Sequence, residues 1–467
     1  MSHRVIAPWA RINHHWHPHV LLAWDHNGTL TEVNLNPDTP TRTTLPHLAG
    51  PVITGMPNLH SHAFQSAMAG LTEYRGQAQD SFWSWRDLMY RFAAQLQPEH
   101  IAAIAKWLYI QMLKAGYTSV CEFHYVHHQS DGTPYASSST LAHAVLQAAQ
   151  QSGIGITMLP VLYQYSGFGA QTPRADQRRF LNHPEQLLDI LLELQKDLPA
   201  NAHRAYGVAP HSLRAVPPES LQQMVRLMDA HFPNSPIHIH IAEQMAEVEA
   251  CVAQHQQRPV EWLLNQFDVN QRWCLVHATH LDSSETRRSA ASGAVAGLCL
   301  TTEANLGDGI FPAQAYLAAQ GRIGVGSDSH IAVDWRAELR LLEYGQRLRH
   351  QQRNVLCSEQ QPSVADYLFD ACVSGGAQAS GRAIRGLHVG QQADFLVLNT
   401  DDVILAEHTP ETWLAALVFN ERTGSQAIRD VYVAGHPVIQ QGRHAHEDEA
   451  WHNYRNSLGH LLQNYKG

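Results

Sequence analysis

Short apolar runs alternate with longer amphipathic segments through the middle of the chain. The runs are rich in Val, Ile and Leu, which is typical of strands buried in a parallel sheet. The amphipathic segments predict helices, as in Pro98–Ala115, where Pro98 suits a first turn and Gly116 suits a C-terminal cap. Strands that alternate with helices in this way predict an α/β protein with a (β/α)8 barrel of the TIM type. The eight runs span residues 52–60, 117–124, 154–163, 205–211, 236–242, 273–278, 294–300 and 322–327.

Both ends of the chain show a different pattern. Residues 20–33 predict a hairpin, because two apolar segments flank a turn that contains Asn27-Gly28. Near the other end, residues 395–398 predict a strand and residues 431–438 predict a strand, a turn and a second strand. The histidine-rich stretch 13–19 predicts a solvated loop.

These patterns divide the chain into two predicted domains. Residues 1–54 and 386–467 are expected to form one small β-sandwich domain together, and residues 55–385 the barrel. The 467 residues, 44% hydrophobic and 16% charged, are ordinary for a packed protein and exclude disorder for most of the chain.

Charge and composition narrow the function classes. A net charge of −10 argues against a nucleic-acid partner, which would require a basic excess. The first twenty residues lack the pattern of a signal peptide, and no run of about 18 apolar residues occurs, so neither secretion nor a membrane partner is expected. Six cysteines without a Cys-x-x-Cys pair suggest neither a disulfide framework nor a thiolate zinc site. The expected location is the cytoplasm.

The first predicted barrel strand ends in His60-Ser61-His62. Because side chains two residues apart on a strand face the same way, both imidazoles can point into one site, and neutral imidazole is a good zinc ligand. The pair is weak evidence alone, since the chain contains 32 histidines and such a spacing arises easily.

Three later predicted strands end in side chains of the same kind. His240 ends the fifth, His277 the sixth and Asp328 the eighth. Each residue taken singly is typical of a hydrogen-bonded core or loop position. Since the carboxyl ends of barrel strands surround one mouth, four such strand ends together predict a metal site there.

These motifs resemble the amidohydrolase superfamily, in particular its branch of mononuclear zinc deaminases. The resemblance implies one Zn²⁺ per chain, because the family's bridging lysine on the fourth strand is replaced by the segment that contains His211. It also implies a flanking small β domain and a homodimer. The implied metal ligands are His60, His62, His240 and Asp328, and the implied catalytic residues are Glu243, His277 and Asp328.

A closer resemblance within this branch is to the deiminases that act on N-formimino-L-glutamate. It implies hydrolysis of that substrate to N-formyl-L-glutamate and ammonia in histidine degradation. It runs along nearly the whole chain and is weakest in the first 50 and the last 80 residues. The segments that carry it are GMPNLHSHAFQSAMAG, DSFWSWRDLMYR, EFHYVHH, PHSLRAV, HIHIAEQ, RWCLVHATH, TEANLGDGIFP and GSDSH.

Recognition of such a dicarboxylate calls for guanidinium groups, which bind carboxylate oxygens bidentately. Arg86, in a predicted loop after the first strand, and Arg214, after the fourth, are the candidates. Either arginine could instead form an ordinary surface salt bridge. The resemblance implies that both bind substrate, together with Gln65, Tyr125 and His211.

The residue types also suggest how the reaction proceeds. A metal in such a site lowers the pKa of a bound water, Asp328 or His277 takes the first proton, and Glu243 carries a proton to the departing nitrogen. Sequence leaves the choice between Asp328 and His277 open, as it does the native metal, since iron or manganese suits the same ligands. The glycines of residues 304–309 do not match a phosphate loop and predict left-handed backbone at the barrel mouth.

Three alternatives remain at this level. One is a related zinc deaminase that acts on a purine such as guanine, whose pocket would call for aromatic stacking and amide contacts instead of two arginines. Another is a metal-free scaffold protein of the same fold, which would lack the ligand set. A third is a reaction on the same substrate that releases formamide and glutamate, which residue types do not exclude.

Overall fold

The computed structural model describes residues 3–73 and 82–465; Asp80 and Ser81, which begin the motif DSFWSWRDLMYR, lie outside them. Within the described residues the chain forms 17 strands and 15 α-helices. The strands are β1 (His3–Ile12), β2 (His15–Trp24), β3 (Leu30–Asn34), β4 (Val52–Thr54), β5 (Met56–Ser61), β6 (Tyr117–His124), β7 (Gly155–Leu162), β8 (Arg204–Tyr206), β9 (Ala209–Pro210), β10 (Ile237–Ile241), β11 (Trp273–His277), β12 (Val295–Leu298), β13 (Arg322–Val325), β14 (Phe395–Leu398), β15 (Ile428–Val433), β16 (His436–Gln440) and β17 (Arg443–His444). The helices are α1 (Thr39–Thr44), α2 (Phe82–Ala93), α3 (Pro98–Ala115), α4 (Thr140–Ser152), α5 (Pro184–Asp197), α6 (Pro218–His231), α7 (Met245–His255), α8 (Pro259–Gln266), α9 (Ser283–Ser292), α10 (Leu300–Leu306), α11 (Ala313–Ala318), α12 (Trp335–His350), α13 (Val364–Ser380), α14 (Pro410–Phe419) and α15 (Glu447–Tyr465).

The strands β5 to β13 form the predicted barrel. Strands β5 to β8 lie side by side in one parallel sheet, in which β9 also pairs with β7, and β10 to β13 form a second parallel sheet. Isolated parallel bridges join the two sheets, Ser61 with Asp328 at one junction and Val208 with Ile237 at the other. A helix follows each barrel strand except β8, which leads directly into β9. The α/β class and the TIM-type architecture are therefore confirmed, although the ladder of strand hydrogen bonds between described residues is interrupted at both junctions.

The predicted strand 52–60 is in fact two strands in different sheets, and this part of the prediction was wrong. The chain changes partner at Gly55: its N–H donates to Asp394 O at 3.0 Å, whereas the next N–H donates to Gly116 O at 3.1 Å. A Cβ on Gly55 would lie 2.1 Å from Thr118 Cγ2, so only glycine fits the crossing. The run 205–211 is likewise divided, into β8 and β9.

The β segments of both chain ends form one eight-stranded sheet in the order β17-β16-β15-β14-β4-β1-β2-β3. The hairpin of β2 and β3 is confirmed, with Gly28 at a φ of 76° in its turn. The loop predicted for residues 13–19 was wrong, because β2 begins at His15 and pairs with β1. Asn13 and His14 both adopt positive φ, 51° and 71°, and so form the turn without a glycine.

The terminal sheet has an apolar core of its own, built around Trp24, Phe395 and their neighbours. The side chain of Arg11 on β1 ties the sheet to the barrel, since its Nη2 lies 2.8 Å from Asp370 Oδ2 on α13. The boundaries at residues 54/55 and 385/386 stay a prediction. The six cysteines are free thiols, and those of residues 121, 274 and 299 are buried as predicted. None of the helices in the described ranges has the length and apolar composition that spanning a bilayer requires.

Candidate metal centre and active site

Four predicted ligands meet at the carboxyl ends of the barrel strands. Pairwise distances between the Nε2 atoms of His60, His62 and His240 are 3.0 to 3.3 Å. Asp328 Oδ1 lies 3.5 Å from the first of these nitrogens and 3.3 Å from the second. Separate strands supply these groups, since His60 lies on β5, His240 on β10 and Asp328 follows β13.

Hydrogen bonds to the backbone fix two of the imidazole rings. His62 Nδ1 lies 2.9 Å from Phe123 O, and His240 Nδ1 lies 3.1 Å from His211 O. A carbonyl oxygen only accepts, so Nδ1 carries the proton in both rings and the Nε2 lone pairs face one another. Burial lowers the pKa of His60 to about 3, which also favours the neutral ring.

This arrangement fits a divalent metal ion. Lone pairs that converge at 3.0 to 3.3 Å repel each other unless a cation lies between them. Four ligand atoms about 2.0–2.1 Å from a central zinc define a tetrahedron with edges of about 3.3–3.4 Å. The observed separations of 3.0 to 3.5 Å therefore match a filled site, and all four side chains are buried.

A second set of groups surrounds His277, beside this centre. Its Nε2 lies 3.7 Å from Glu243 Oε1 and 3.8 Å from Asp328 Oδ2. Burial alone would lower the pKa of His277, but the surrounding carboxylates raise it to about 10. Burial also raises the pKa of Glu243 to about 7. Glu243, His277 and Asp328 can therefore hold and transfer protons in the cleft beside the predicted metal ligands.

Sequence reasoning missed two carboxyl groups here, Glu303 and Asp308. Glu303 Oε1 lies 3.2 Å from His277 Nδ1, which leaves the other ring nitrogen facing Glu243. Asp308 lies with Glu243 and His277 in a group whose possible ligand atoms are within 4.8 Å of one another. Both carboxylates lie in the segment TEANLGDGIFP, but the sequence does not indicate which side chains they contact; Gly307 and Gly309 of this segment do adopt positive φ, as predicted.

A further missed residue, Glu122 on β6, holds the first ligand segment in place. Its carboxylate accepts hydrogen bonds from Ser61 Oγ at 2.7 Å and from the N–H of Ala63 at 2.7 Å. Tyr109 OH donates to it as well, at 3.0 Å. Burial raises the pKa of Glu122 to about 7. The chain is thus anchored on both sides of His62, at Ser61 and at Ala63.

Left-handed backbone recurs where the strands end at the site. Ala242, His277, Ala278 and Asp328 have φ values of 51°, 67°, 47° and 44°. Non-glycine residues adopt this region at a cost of about 1–3 kcal/mol each, and such strain is concentrated at functional sites. The strand ends bend here so that the side chains turn into the barrel mouth.

The predicted substrate-binding residues line one cleft above the metal ligands. Its empty space, counting the open mouth, is about 500 Å³. Arg86 lies on α2 and not in a loop as predicted, because the helix begins at Phe82. His60 lies beneath the cleft with no exposed surface. The predicted residues that line the cleft are His62, Gln65, Arg86, Tyr125, His211, Arg214, His240, Glu243, His277 and Asp328.

Neighbouring side chains hold several of these groups. Gln65 Nε2 donates to Tyr125 OH at 2.8 Å, and the guanidinium of Arg86 lies 5.6 Å from the ring centre of Tyr90. Arg214 is only 9% exposed, and its Nε lies 3.9 Å from Glu247 Oε2. The cleft therefore offers two cations, Arg86 and Arg214, together with a cluster of imidazole and carboxyl groups.

Known proteins resemble this chain along its whole length. A formimidoylglutamate deiminase of Pseudomonas aeruginosa is 49% identical over 98% of this chain and 99% of its own. A crystal structure of an amidohydrolase from Brucella melitensis is 43% identical with a TM-score of 0.89, covering 98% of this chain and all of the other. An adenosine deaminase from Xanthomonas campestris, described with bound zinc, shares the fold at 20% identity and a TM-score of 0.79, covering 98% of each chain. Residues 52–438 match the model of the amidohydrolase family, and the chain belongs to that family.

Proposed function

We propose that the chain is a zinc-dependent deiminase that hydrolyses N-formimino-L-glutamate to N-formyl-L-glutamate and ammonia, as a step of histidine degradation. The observation that carries the proposal is the pair of guanidinium groups of Arg86 and Arg214. Both line the cleft whose floor the predicted metal ligands form. The relative from Pseudomonas aeruginosa, whose name states this activity, supports it over almost the full length.

Substrate binding is assigned to the walls of the cleft. The two carboxylates of the substrate bind Arg86 and Arg214, which can each offer a bidentate pair of N–H donors. Gln65, Tyr125 and His211 contribute polar contacts around them. The formimino group then reaches the floor of the cleft, where Glu243, His277 and Asp328 lie.

One divalent ion per chain is assigned to His60, His62, His240 and Asp328, with zinc as the expected metal because the set joins three imidazoles and a carboxylate. Iron or manganese also suits these ligands. An ion bound there lowers the pKa of a water molecule and polarises the carbon under attack.

Proton transfer is assigned to three groups. Asp328 directs Oδ1 towards the histidine ligands and leaves Oδ2 facing His277, so the second oxygen is placed to accept a proton from the attacking water. Glu243, whose pKa is raised by burial to about 7, holds a proton for the departing nitrogen. The carboxylates around His277 raise its pKa to about 10, so this ring is protonated and stabilises the negative charge that develops between them.

Other readings of the site have less support. A purine deaminase such as the zinc-bound neighbour shares only the fold at 20% identity, and a purine has no carboxylates for Arg86 and Arg214 to bind. A metal-free scaffold would not need four buried ligand groups at metal-binding distances. Release of formamide and glutamate, in place of ammonia and N-formyl-L-glutamate, is distinguished by identifying the products. We further propose a cytoplasmic homodimer that binds neither nucleic acid nor membranes.

The test is ammonia release from N-formimino-L-glutamate by protein of measured metal content, before and after treatment with a chelator. The products are identified by NMR, which distinguishes N-formyl-L-glutamate from glutamate plus formamide. A panel with guanine and adenosine is run in parallel. Metal-loaded protein that releases no ammonia from the formimino substrate, or that prefers a purine, would overturn the proposal.

A further inference from the structure

Glu243, His277 and Asp308 form a buried group beside the metal centre. None of the three is among the four predicted ligands of that centre. The nitrogen or oxygen atoms that each could offer to a cation lie within 4.8 Å of one another. Their exposures are 4%, 1% and 5%. Two carboxyl groups and an imidazole that are shielded from water are a favourable environment for a divalent cation. The two carboxylates would neutralise the charge of that cation.

Only one of the two carboxylate oxygens of Asp308 has a hydrogen-bond partner among the described residues. Gln244 Nε2 donates to its Oδ1. The other oxygen, Oδ2, is buried, and among the described residues it has no hydrogen-bond partner. An unsatisfied buried carboxylate oxygen costs free energy unless a proton or a cation satisfies it. The segment that presents Asp308 is held in place, because its backbone oxygen accepts a hydrogen bond from His280 Nε2 at 2.8 Å.

Asp328 connects this group to the metal centre. Its Oδ1 lies 3.3 Å from His62 Nε2, whereas its Oδ2 lies 3.8 Å from His277 Nε2. A carboxylate that presents one oxygen to each side can bridge two cations. The separations of 3.7 and 3.8 Å around His277 Nε2 exceed the edge of about 3.3–3.4 Å in a filled zinc site, so binding of a cation requires these side chains to move closer together.

We propose that Glu243, His277, Asp308 and Oδ2 of Asp328 form a second divalent cation site, which zinc fills only when it is in excess and which then inhibits the enzyme. Glu303 adds negative charge behind His277, and Arg214, which lies near Glu243, opposes the second cation and keeps this site weaker than the first. Inhibition rests on the proposed function, because the second zinc would occupy Glu243 and His277, the groups assigned to proton transfer. Binding of the ion does not depend on that function.

The experiment measures zinc content and activity separately. Wild-type protein is dialysed against increasing free zinc, and bound metal is determined by elemental analysis. We expect one zinc per chain at low concentration and two at high concentration. At free zinc tenfold above the second dissociation constant, about a tenth of the activity remains.

Asp308→Asn removes the carboxylate charge but keeps the shape of the side chain. We expect it to retain the first zinc and to bind the second at least about tenfold more weakly, with a matching shift of the inhibition curve. Asp189→Asn, the same change at an exposed position of α5, is the control and should behave as wild type. Asp308→Ser provides a second variant if Asp308→Asn folds poorly.

Each outcome decides a different point. A wild-type content that stays at one zinc per chain would overturn the second site, as would unchanged zinc binding in both Asp308 variants. Two bound zinc ions with undiminished ammonia release would retain the site but reject the inhibition. Protein without activity towards the formimino substrate would reject the proposed function, while the metal stoichiometry would still test the second site.

Discussion

Arg214 offers the sharpest test of the cleft, because a structural role and a substrate-binding role predict different results. The residue lines the cleft, yet its Nε also lies 3.9 Å from Glu247 Oε2, and Glu247 is 1% exposed. Arg214→Met keeps most of the apolar volume and removes the charge. If Arg214 binds a substrate carboxylate bidentately, the loss is about 3 kcal/mol of transition-state stabilisation, or about 150-fold in kcat/KM.

The same substitution also affects stability. It leaves the buried carboxylate of Glu247 without this neighbouring cation. The separation of 3.9 Å is too long for a direct hydrogen bond, so the two groups attract each other as charges. Because the substitution removes this attraction, we expect a loss of about 1–3 kcal/mol in the free energy of unfolding. Glu247→Gln removes the unpaired charge while its side-chain oxygen can still accept from the N–H of Glu243, 3.3 Å away in the native protein. The double variant should therefore regain stability but not activity.

The assay compares three substrates in ammonia release: N-formimino-L-glutamate and two analogues that each lack one of its carboxylates. We expect Arg214→Met to spare the analogue that lacks the carboxylate bound by Arg214. Arg226→Met, at an exposed position of α6, controls for the chemical change, and urea unfolding measures stability. Recovery of activity in the double variant, or an equal loss for all three substrates, would refute the assignment.

Three further predictions concern catalysis, metal and pH. Glu243→Gln should lower kcat by about 10²–10⁴-fold, as measured by ammonia release, with one zinc per chain retained by elemental analysis, because it removes the proton donor and none of the four ligands. Removal of the metal by a chelator should lower the free energy of unfolding by about 4 kcal/mol relative to protein at free metal 1,000-fold above its dissociation constant, as measured by urea unfolding; an unchanged midpoint would contradict metal binding. Glu338, which accepts from Thr301 N at 3.1 Å, has its pKa raised by burial from 4.5 to about 8. Its neutral form therefore stabilises the fold fully below pH 4.5, and this contribution is lost as the pH rises through about 8, so Glu338→Gln should remove a decline on the order of a few kcal/mol between these values in urea unfolding.

The barrel was predictable because its strands are buried on both faces and therefore appear as continuous apolar runs. Helix α3 also matches its predicted bounds, since Pro98 and Gly116 mark its ends with strong local preferences. The division at Gly55 was not predictable, because both sides of it are equally apolar and only the positions of Asp394 and Gly116 decide which sheet each side joins. The strand that begins at His15 was missed for a different reason, since three histidines make its first half look like a loop and that half is only partly buried.

The predicted metal centre follows from sequence because its four ligands lie at the ends of three separate strands, and strand ends share one mouth. The helix that carries Arg86 was less evident, since its apolar positions lie among aromatic and polar residues. Glu303 and Asp308 could not be assigned, because their roles depend on which atoms of His277 and Glu243 they meet in three dimensions.

The order of strands in the terminal sheet has a consequence for how the protein is made. Strand β4 lies between β1 and β14, and Thr54 and Asp394, which meet there, are 340 residues apart in the chain. At about 5–20 residues per second, a ribosome needs about 20–70 seconds to cover that distance. Throughout this interval the nascent β1 to β4 segment presents an unpaired edge, the kind of surface on which chains aggregate. Synthesis of residues 395–444 is therefore the point at which the N-terminal strands become protected.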